Sequence, residues 1–324
     1  MCVAGNKKSF FQNDKRQGSL KTLCVTGGNG LLGQKLIEQA SQKCAVLAVD
    51  IQEGPSAKCS FVEYVRCDIT DAELVEETLQ KAKPDCVIHT AAFTDVDGCE
   101  SHREEAWNIN VRGTENIART CRNLGIPMVH LSTDYVFDGN SGPYGEEAVP
   151  NPISFYGKTK LESERIVQSI SNDSVIVRTM VLYGYSPSVR ENFVTWLVRK
   201  LRNREAVSVV TDQYGNPTLA DDLARALLLL VERGAKGLYH VAGGEWMNRF
   251  DFAVRVAEIF HLDRALIAPT TSGMFQQKAP RPMRSGLKTN KIKREYGIIL
   301  KSVSEGLLEI RNQMDGRNGK DLTF

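Results

Sequence analysis

The chain has no excess of charge of either sign. Its 324 residues carry 41 Lys and Arg against 39 Asp and Glu, a formal net charge of +2. A balance of this kind provides no field that would hold a nucleic-acid backbone or an anionic membrane surface. The composition therefore predicts no nucleic-acid or membrane partner.

Long apolar runs are also absent. The strongest one, at 226–231, is far shorter than the ~20 apolar residues that a membrane-spanning helix needs. The first 20 residues are polar and charged and contain no apolar core of a secretory signal. We therefore expect a cytoplasmic protein, and we interpret residues 1–20 as a flexible N-terminal tail.

Cysteine is absent beyond residue 121, and no two of the eight cysteines form a C-x-x-C pair. Cys24 and Cys86 lie within apolar, strand-like segments, where a thiol acts as a small hydrophobe. We expect reduced structural thiols and no metal site. His89 and His130 also lie within apolar strands, so we expect hydrogen-bonded core histidines at both positions.

Ordinary globular composition, with 42% hydrophobic and 25% charged residues, predicts a folded chain. From residue 21 onward, short β-branched segments alternate with amphipathic ones, a pattern typical of βαβ units. We therefore predict an α/β fold with a doubly wound parallel sheet over 21–185. A smaller C-terminal lobe, some of whose elements return to the sheet, is expected over 186–313, followed by a tail at 314–324.

A glycine-rich turn follows the first predicted strand. Glycines stand at 27, 30 and 33, directly before a predicted helix. Gly27 permits a tight turn, Gly30 lets backbone N–H groups approach a pyrophosphate, and Gly33 lets the helix pack closely on the strand. The helix N-terminus favours the negative charge. This order of elements predicts a Rossmann-type dinucleotide site that also includes Asn29, Leu31 and Leu32.

Acidic residues end the next two strands. Asp50 stands near the ~20-residue offset of a ribose-binding acid, although it could instead cap the loop after its strand. A carboxylate there would repel a 2′-phosphate by up to ~4 kcal/mol at ~4 Å and an effective dielectric of ~20, so NADH is expected to be favoured over NADPH. Asp68, followed by Ile69, either accepts a hydrogen bond from adenine or caps the helix predicted over 71–82.

A second group of residues is typical of carbonyl reduction. Tyr156 and Lys160 are i and i+4 on a predicted helix, so they share a face. A phenol with a pKa of ~10 is a weak acid near pH 7, and an adjacent ammonium would stabilise the phenolate. We therefore expect Lys160 to lower the pKa of Tyr156, and we expect the hydroxyl of Thr133, at the end of a strand, to hold the carbonyl oxygen.

These motifs resemble those of the extended short-chain dehydrogenases/reductases, and specifically those of the dTDP-4-dehydrorhamnose reductase family. The resemblance covers about residues 21–313. It depends most on three segments, which read STDYVFDG at 132–139, FYGKTKL at 155–161 and DQYGNPT at 212–218. Further matches lie at 90–97, at Glu100 and at 281–289.

The resemblance implies an NAD(P)H-dependent enzyme of dTDP-rhamnose biosynthesis. Its reaction would reduce the 4-keto group of a nucleoside-diphosphate deoxysugar, with dTDP-4-dehydrorhamnose and dTDP-L-rhamnose as the expected pair. It also implies that the catalytic residues are Thr133, Tyr156 and Lys160. Ala91 and Ala92 would line the nicotinamide side.

The resemblance further implies a substrate side and a mode of association. The residues expected there are Thr94, Val96, Asp134, Tyr135 and Arg281. A guanidinium such as that of Arg281 can hold two phosphate oxygens of a diphosphate at once. A homodimer is expected through the helices near 103–124 and 155–170.

One segment departs from the family pattern. The family usually reads R-T-S-W-V-Y-G after its sixth strand, whereas this chain reads R-T-M-V-L-Y-G at 178–184. The aromatic wall beside the sugar is missing, which leaves the identity of the sugar open. The regulatory β subunit of methionine adenosyltransferase resembles this family and also lacks that Trp. A non-catalytic, cofactor-binding subunit is therefore the alternative, although the intact Thr133, Tyr156 and Lys160 favour an enzyme.

Overall fold

The computed structural model describes residues 20–54, 61–187, 189–275 and 277–316. The strands are β1 (Thr22–Thr26), β2 (Ala45–Asp50), β3 (Val62–Arg66), β4 (Cys86–His89), β5 (Met128–Thr133), β6 (Val175–Thr179), β7 (Leu182–Tyr183), β8 (Val207–Val210), β9 (Tyr214–Gly215), β10 (Thr218–Leu219), β11 (Gly237–His240), β12 (Met247–Asn248) and β13 (Ile267–Thr270). The helices are α1 (Leu31–Ala40), α2 (Ala72–Ala82), α3 (Val96–Ser101), α4 (Arg103–Trp107), α5 (Thr114–Leu124), α6 (Phe155–Ile170), α7 (Phe193–Arg202), α8 (Ala220–Glu232), α9 (Arg249–Ile259), α10 (Asn290–Tyr296) and α11 (Val303–Met314).

Seven parallel strands form the main sheet, in the order β11-β6-β5-β4-β1-β2-β3. The chain moves outward from β1 through β2 to β3, and then continues from β4 on the other side of β1. Ligands of such sheets bind in the crevice at the carboxyl ends of the strands where the order reverses. Here that crevice opens beyond Thr26 and His89, which are neighbours in the β1–β4 ladder. The predicted doubly wound α/β fold is confirmed.

Helices cover both faces of the sheet because its strands are apolar on both sides. Leu23 and Val25 of β1 pack in the cluster that includes α1 and α8, whereas Cys24 packs in the cluster that includes α2 and α5. Cys24 and Cys86 are buried free thiols, as predicted. The six cysteines within the described residues form no disulfide, and Cys2 and Cys59 lie outside those residues.

The second half of the chain is divided between the sheet and a smaller cluster. Strand β11 extends the main sheet beside β6, and α8 packs against α1. Helices α7, α9 and α11 enclose a separate apolar cluster whose largest buried side chains are Tyr183 and Phe252. The loop after β13 then returns to the first half, where Ala279 N donates a hydrogen bond to Asp97 (2.9 Å). This return brings side chains of the C-terminal half to the carboxyl edge of the sheet.

The long helix predicted near 103–124 is interrupted. A π-helical turn over Asn108–Gly113 joins α4 to α5, a feature that is frequent at functional sites. Within this turn, the Asn110 side chain exchanges two hydrogen bonds with the backbone of Phe93 (2.8 and 3.1 Å). The turn therefore fixes the loop that follows β4.

The predicted tails fall almost entirely outside the described residues, at 1–19 and 317–324. Among the helices that the structure describes, none has the length and apolar character needed to cross a bilayer.

Candidate functional site

A cavity of about 720 Å³ lies at the carboxyl edge of the sheet, at the strand-order reversal. It brings together residues that are far apart in the sequence, from the glycine turn to the start of α6. The predicted site residues in its wall are Gly27, Gly30, Leu31, Leu32, Gly33, Asp50, Asp68, Ile69, Ala91, Ala92, Thr94, Val96, Thr133, Asp134, Tyr135, Tyr156 and Lys160. The two predicted residues that do not line it are Asn29 and Arg281.

The glycine turn has the geometry that a dinucleotide pyrophosphate requires. A Cβ on Gly33 would lie 2.1 Å from the Gly27 carbonyl oxygen, and Gly27 itself has a φ of +73°. Gly30 precedes α1 without a side-chain cap. The first N–H groups of a helix, here those of Leu31 and Leu32, have no intrahelical acceptor and can donate to an anion. The turn therefore fits the pyrophosphate of a dinucleotide.

Asp50 both lines the cavity and holds the turn. Its Oδ2 accepts a hydrogen bond from Asn29 N (2.9 Å), and its Oδ1 accepts one from Gln52 N (3.1 Å). A carboxylate oxygen accepts more than one hydrogen bond, so these contacts leave capacity toward a ribose. The loop-capping role and a role at the ribose are therefore compatible.

The alternative that Asp68 caps α2 is wrong. The cap is Asp71, whose carboxylate accepts a hydrogen bond from Leu74 N (3.0 Å). Asp68 Oδ1 instead accepts from Thr70 N (2.9 Å) and from the Thr70 hydroxyl (2.8 Å). Those bonds hold the Asp68 carboxylate at the cavity wall.

Tyr156 lies in the first turn of α6, which is capped by Ser154, and is almost fully buried. Burial raises its pKa above the ordinary value of 10, the nearby Asp134 charge raises it further, and a hydrogen bond with Thr133 opposes them. This direction is opposite to the one that the sequence predicts. The phenol is therefore protonated near pH 7 and is a weaker acid than a free tyrosine.

The position of the Lys160 amino group bears on the difference between the expected and the observed pKa of Tyr156. Its Nζ lies 3.5 Å from Nε2 of His130, which is 2.8 Å from the Ser163 hydroxyl. Burial lowers the pKa of Lys160 from 10.5 to about 8, while the Glu164 carboxylate raises it. About nine-tenths of Lys160 would still be charged at pH 7, but the amino group is directed at a histidine within the fold.

The two strand histidines are core residues, as predicted. His89 lies 2.6 Å from the Thr26 hydroxyl and 3.1 Å from that of Thr114, and it stacks on His130 with ring centroids 5.5 Å apart. Burial, and then the charge of Lys160, lowers the pKa of His89 to about 3. Burial also lowers the pKa of His130, so both rings are neutral near pH 7.

Asp134 links the C-terminal half to Thr133. Its carboxylate accepts hydrogen bonds from the hydroxyls of Ser285 (2.6 Å) and Thr133 (3.1 Å). Burial raises its pKa from 3.8 to about 6 against the opposing effect of these hydroxyls. The carboxylate therefore orients the hydroxyl of Thr133 beside Tyr156.

The cavity wall beyond Lys160 is aliphatic where the related family carries an aromatic ring. Met180, Val181 and Leu182 line it. Val181 has a φ of +45°, which is strained for a β-branched side chain and typical of functional positions. Val181 stands at the position of the missing Trp. This part of the wall therefore presents a smaller apolar surface than an indole would.

Arg281 does not line the cavity, and its side chain pairs with Asp97 instead. Its Nη2 lies 2.9 Å from Oδ2 of Asp97, and its Nη1 lies 3.4 Å from the Ala279 carbonyl oxygen. A different arginine, Arg249 at the start of α9, lines the cavity. No spacing marks Arg249 in the sequence, because it lies 93 residues beyond Tyr156 and in another structural unit.

Comparisons with known proteins cover nearly the whole chain. The family described as RmlD substrate binding domain matches residues 21–315. The probable low-salt glycan biosynthesis reductase Agl14 of Haloferax volcanii is 35% identical over 287 residues, 87% of this chain and 95% of the relative. Methionine adenosyltransferase 2 subunit beta of Xenopus tropicalis is 34% identical over 277 residues, 83% of this chain and 81% of the relative.

Solved structures agree with these matches. The dTDP-4-dehydrorhamnose reductase of Clostridium acetobutylicum has a TM-score of 0.83 at 33% identity, covering 91% of this chain and 99% of its own. That of Bacillus anthracis, in complex with NADP, has a TM-score of 0.83 at 30% identity, covering 91% and 100%. The chain therefore belongs to the RmlD substrate binding domain family, in agreement with the resemblance of its motifs to dTDP-4-dehydrorhamnose reductases.

Proposed function

We propose that the protein is an NAD(P)H-dependent reductase that converts the 4-keto group of a nucleoside-diphosphate deoxysugar to an alcohol, with dTDP-4-dehydrorhamnose as substrate and dTDP-L-rhamnose as product. The observation that carries this proposal is that Thr133, Tyr156 and Lys160 line the same cavity as the glycine turn. The reductases of Clostridium acetobutylicum and Bacillus anthracis, which share this fold, support it.

The chemistry assigns a separate task to each side chain. The nicotinamide supplies the hydride when it is bound. Tyr156 is protonated at neutral pH, although burial and Asp134 make it a weaker acid, and it donates a proton to the oxygen as negative charge develops there. Thr133 holds the same oxygen by its hydroxyl, whose one proton must turn from the Asp134 carboxylate to the substrate to do so. Lys160, one turn further along α6, would supply positive charge to the tyrosinate that remains by turning from His130.

The test measures loss of NADH absorbance with dTDP-4-dehydrorhamnose. The native chain should turn over, and Tyr156→Phe should lower kcat ~100-fold or more, within the range for a lost general acid. Tyr185→Phe is the matched control, since Tyr185 is a tyrosine outside the wall of this cavity. It should retain kcat within about tenfold. Equal losses in both variants would remove Tyr156 from the role of proton donor.

The second candidate is a cofactor-binding regulatory subunit. Val181 at the position of the family Trp and the similarity to methionine adenosyltransferase 2 subunit beta favour it. The proton donor and its supports count against it, because a subunit that only binds a cofactor has no need of them. A native chain that binds NADH, oxidises none with any 4-ketosugar and co-purifies with a methionine adenosyltransferase would establish the regulatory function.

For cofactor choice we propose that NADH binds at least as well as NADPH. The Asp50 carboxylate at the cavity wall supports this, because its charge would repel a 2′-phosphate. Fluorescence titration of both cofactors at one ionic strength tests it. A tenfold or greater preference for NADPH would show that the charge of Asp50 does not act on the ribose.

For association we propose a homodimer through the surface of α4, α5 and α6. Trp107 and Phe155 support it, since their ring centroids are 6.5 Å apart and Trp107 is 37% exposed. Light scattering should give twice the 36.0 kDa of the chain, and Trp107→Glu should halve that mass. A monomeric native chain would refute this arrangement.

A further inference from the structure

Arg249 is a cavity arginine that has no salt-bridge partner among the described residues. It is half-buried, and its guanidinium carbon lies 5.5 Å from the centroid of the Phe193 ring. Its backbone N–H donates to the Gln213 carbonyl oxygen (3.0 Å). Within the described residues, the Arg249 side chain forms neither a salt bridge nor a hydrogen bond. A half-buried charge without a salt bridge or hydrogen bond raises the free energy of the folded state unless a ligand pairs with it.

The one carboxylate that attracts Arg249, that of Asp134, forms no salt bridge with it within the described residues. The carboxylate of Asp134 already accepts two hydroxyl hydrogen bonds. Burial lowers the pKa of Arg249, the charges of Tyr135 and Asp134 raise it, and the positive charge of Arg281 lowers it. The two arginines therefore repel each other across the substrate side, and Asp97 compensates only Arg281.

We propose that Arg249 binds the diphosphate of the nucleotide-sugar substrate, as the cavity counterpart of Arg281. This assignment rests on the proposed function. A planar guanidinium donates two parallel hydrogen bonds to phosphate oxygens, and the Phe193 ring restricts the orientations that the fork adopts. The diphosphate would supply the salt-bridge partner that Arg249 lacks, and its binding would place the sugar toward Tyr156.

Isothermal titration with dTDP, UDP and inorganic pyrophosphate tests the assignment without any turnover. Arg249→Gln should raise the Kd for dTDP at least tenfold, and it should also flatten the dependence of log Kd on log salt concentration. Arg249→Lys should give an intermediate loss, since it keeps the charge but not the fork. If Arg249→Gln unfolds at a lower temperature than the native chain, Arg249→Lys provides the test instead, because it preserves the positive charge.

The matched control is Arg255→Gln, on the same helix. Arg255 is bonded to Ser304 (2.8 Å) and does not line the cavity, so its replacement should leave the Kd for dTDP within twofold. The Kd for NADH should stay unchanged in the Arg249 variants, because the glycine turn binds the cofactor pyrophosphate. A parallel loss of NADH binding would mean a general disruption of the cavity and would overturn the assignment.

The remaining outcomes separate the two levels of inference. If the native chain binds dTDP and Arg249→Gln binds it equally well, the assignment fails and the proposed function stands. If the native chain binds none of dTDP, UDP and pyrophosphate, both fail. If binding of dTDP and pyrophosphate is unchanged but the KM for the ketosugar rises, Arg249 contacts the sugar and the diphosphate assignment is wrong. Equal losses for dTDP, UDP and pyrophosphate would establish a contact with phosphate.

Discussion

Replacing Lys160 by Met should stabilise the protein while it removes activity. Burial lowers the pKa of Lys160 from 10.5 to about 8, which at 1.36 kcal/mol per pH unit is a cost of about 3 kcal/mol for keeping the ammonium in the fold. Met is a flexible side chain without the charge. At pH 7 we therefore expect Lys160→Met to raise the free energy of unfolding by up to ~3 kcal/mol.

The sign of the pH dependence follows from the same values. Below pH 8 the amine is charged in the folded and the unfolded chain, and the folded state bears the full cost. Between about 8 and 10.5 the folded chain has lost the proton and the unfolded chain has not, so unfolding takes up a proton and stability rises with pH. By pH 9.5 the native chain should regain about 2 kcal/mol relative to Lys160→Met.

Urea unfolding followed by circular dichroism at pH 7 and 9.5 measures this difference. Subtracting the Met variant cancels the contributions of other titrating groups. Lys158→Met, at an exposed position on the same helix, is the control and should change stability by less than about 0.5 kcal/mol. A Met variant less stable than the native chain at pH 7, or a difference that does not shrink by pH 9.5, would refute the reasoning.

Two further replacements test the dinucleotide end. Gly33→Ala places a Cβ 2.1 Å from the Gly27 carbonyl oxygen, so α1 must move, and calorimetry should show NADH binding weakened at least tenfold. Gly244→Ala is the control, because a Cβ on Gly244 would meet no atom within 4 Å. Asp50→Asn removes the charge but keeps one acceptor oxygen for the turn, so the ratio of NADPH to NADH affinity should rise about tenfold, or 1.4 kcal/mol; an unchanged ratio would mean that the carboxylate only holds the turn.

Local pattern was sufficient for most elements of the sheet domain. The helices predicted over 71–82 and near 155–170 lie at 72–82 and 155–170 in the structure, and α1 directly follows the glycine turn as predicted. Such segments are encoded by periodicity and by capping residues within a few positions of one another. The π turn at 108–113 was missed because it continues the helical pattern, and the close approach of Gly113 to Ile69 is made across the fold.

The sequence by itself determined the glycine turn, the acid that follows it and the shared face of Tyr156 and Lys160, because each depends on spacings within one strand-turn-helix unit. Only the tertiary structure decided what those groups contact. It directs Lys160 toward His130 and raises the pKa of Tyr156. It likewise brings Arg249 into the cavity from the second half of the chain. Burial and charge are sums over neighbours from distant segments, and no local spacing encodes them.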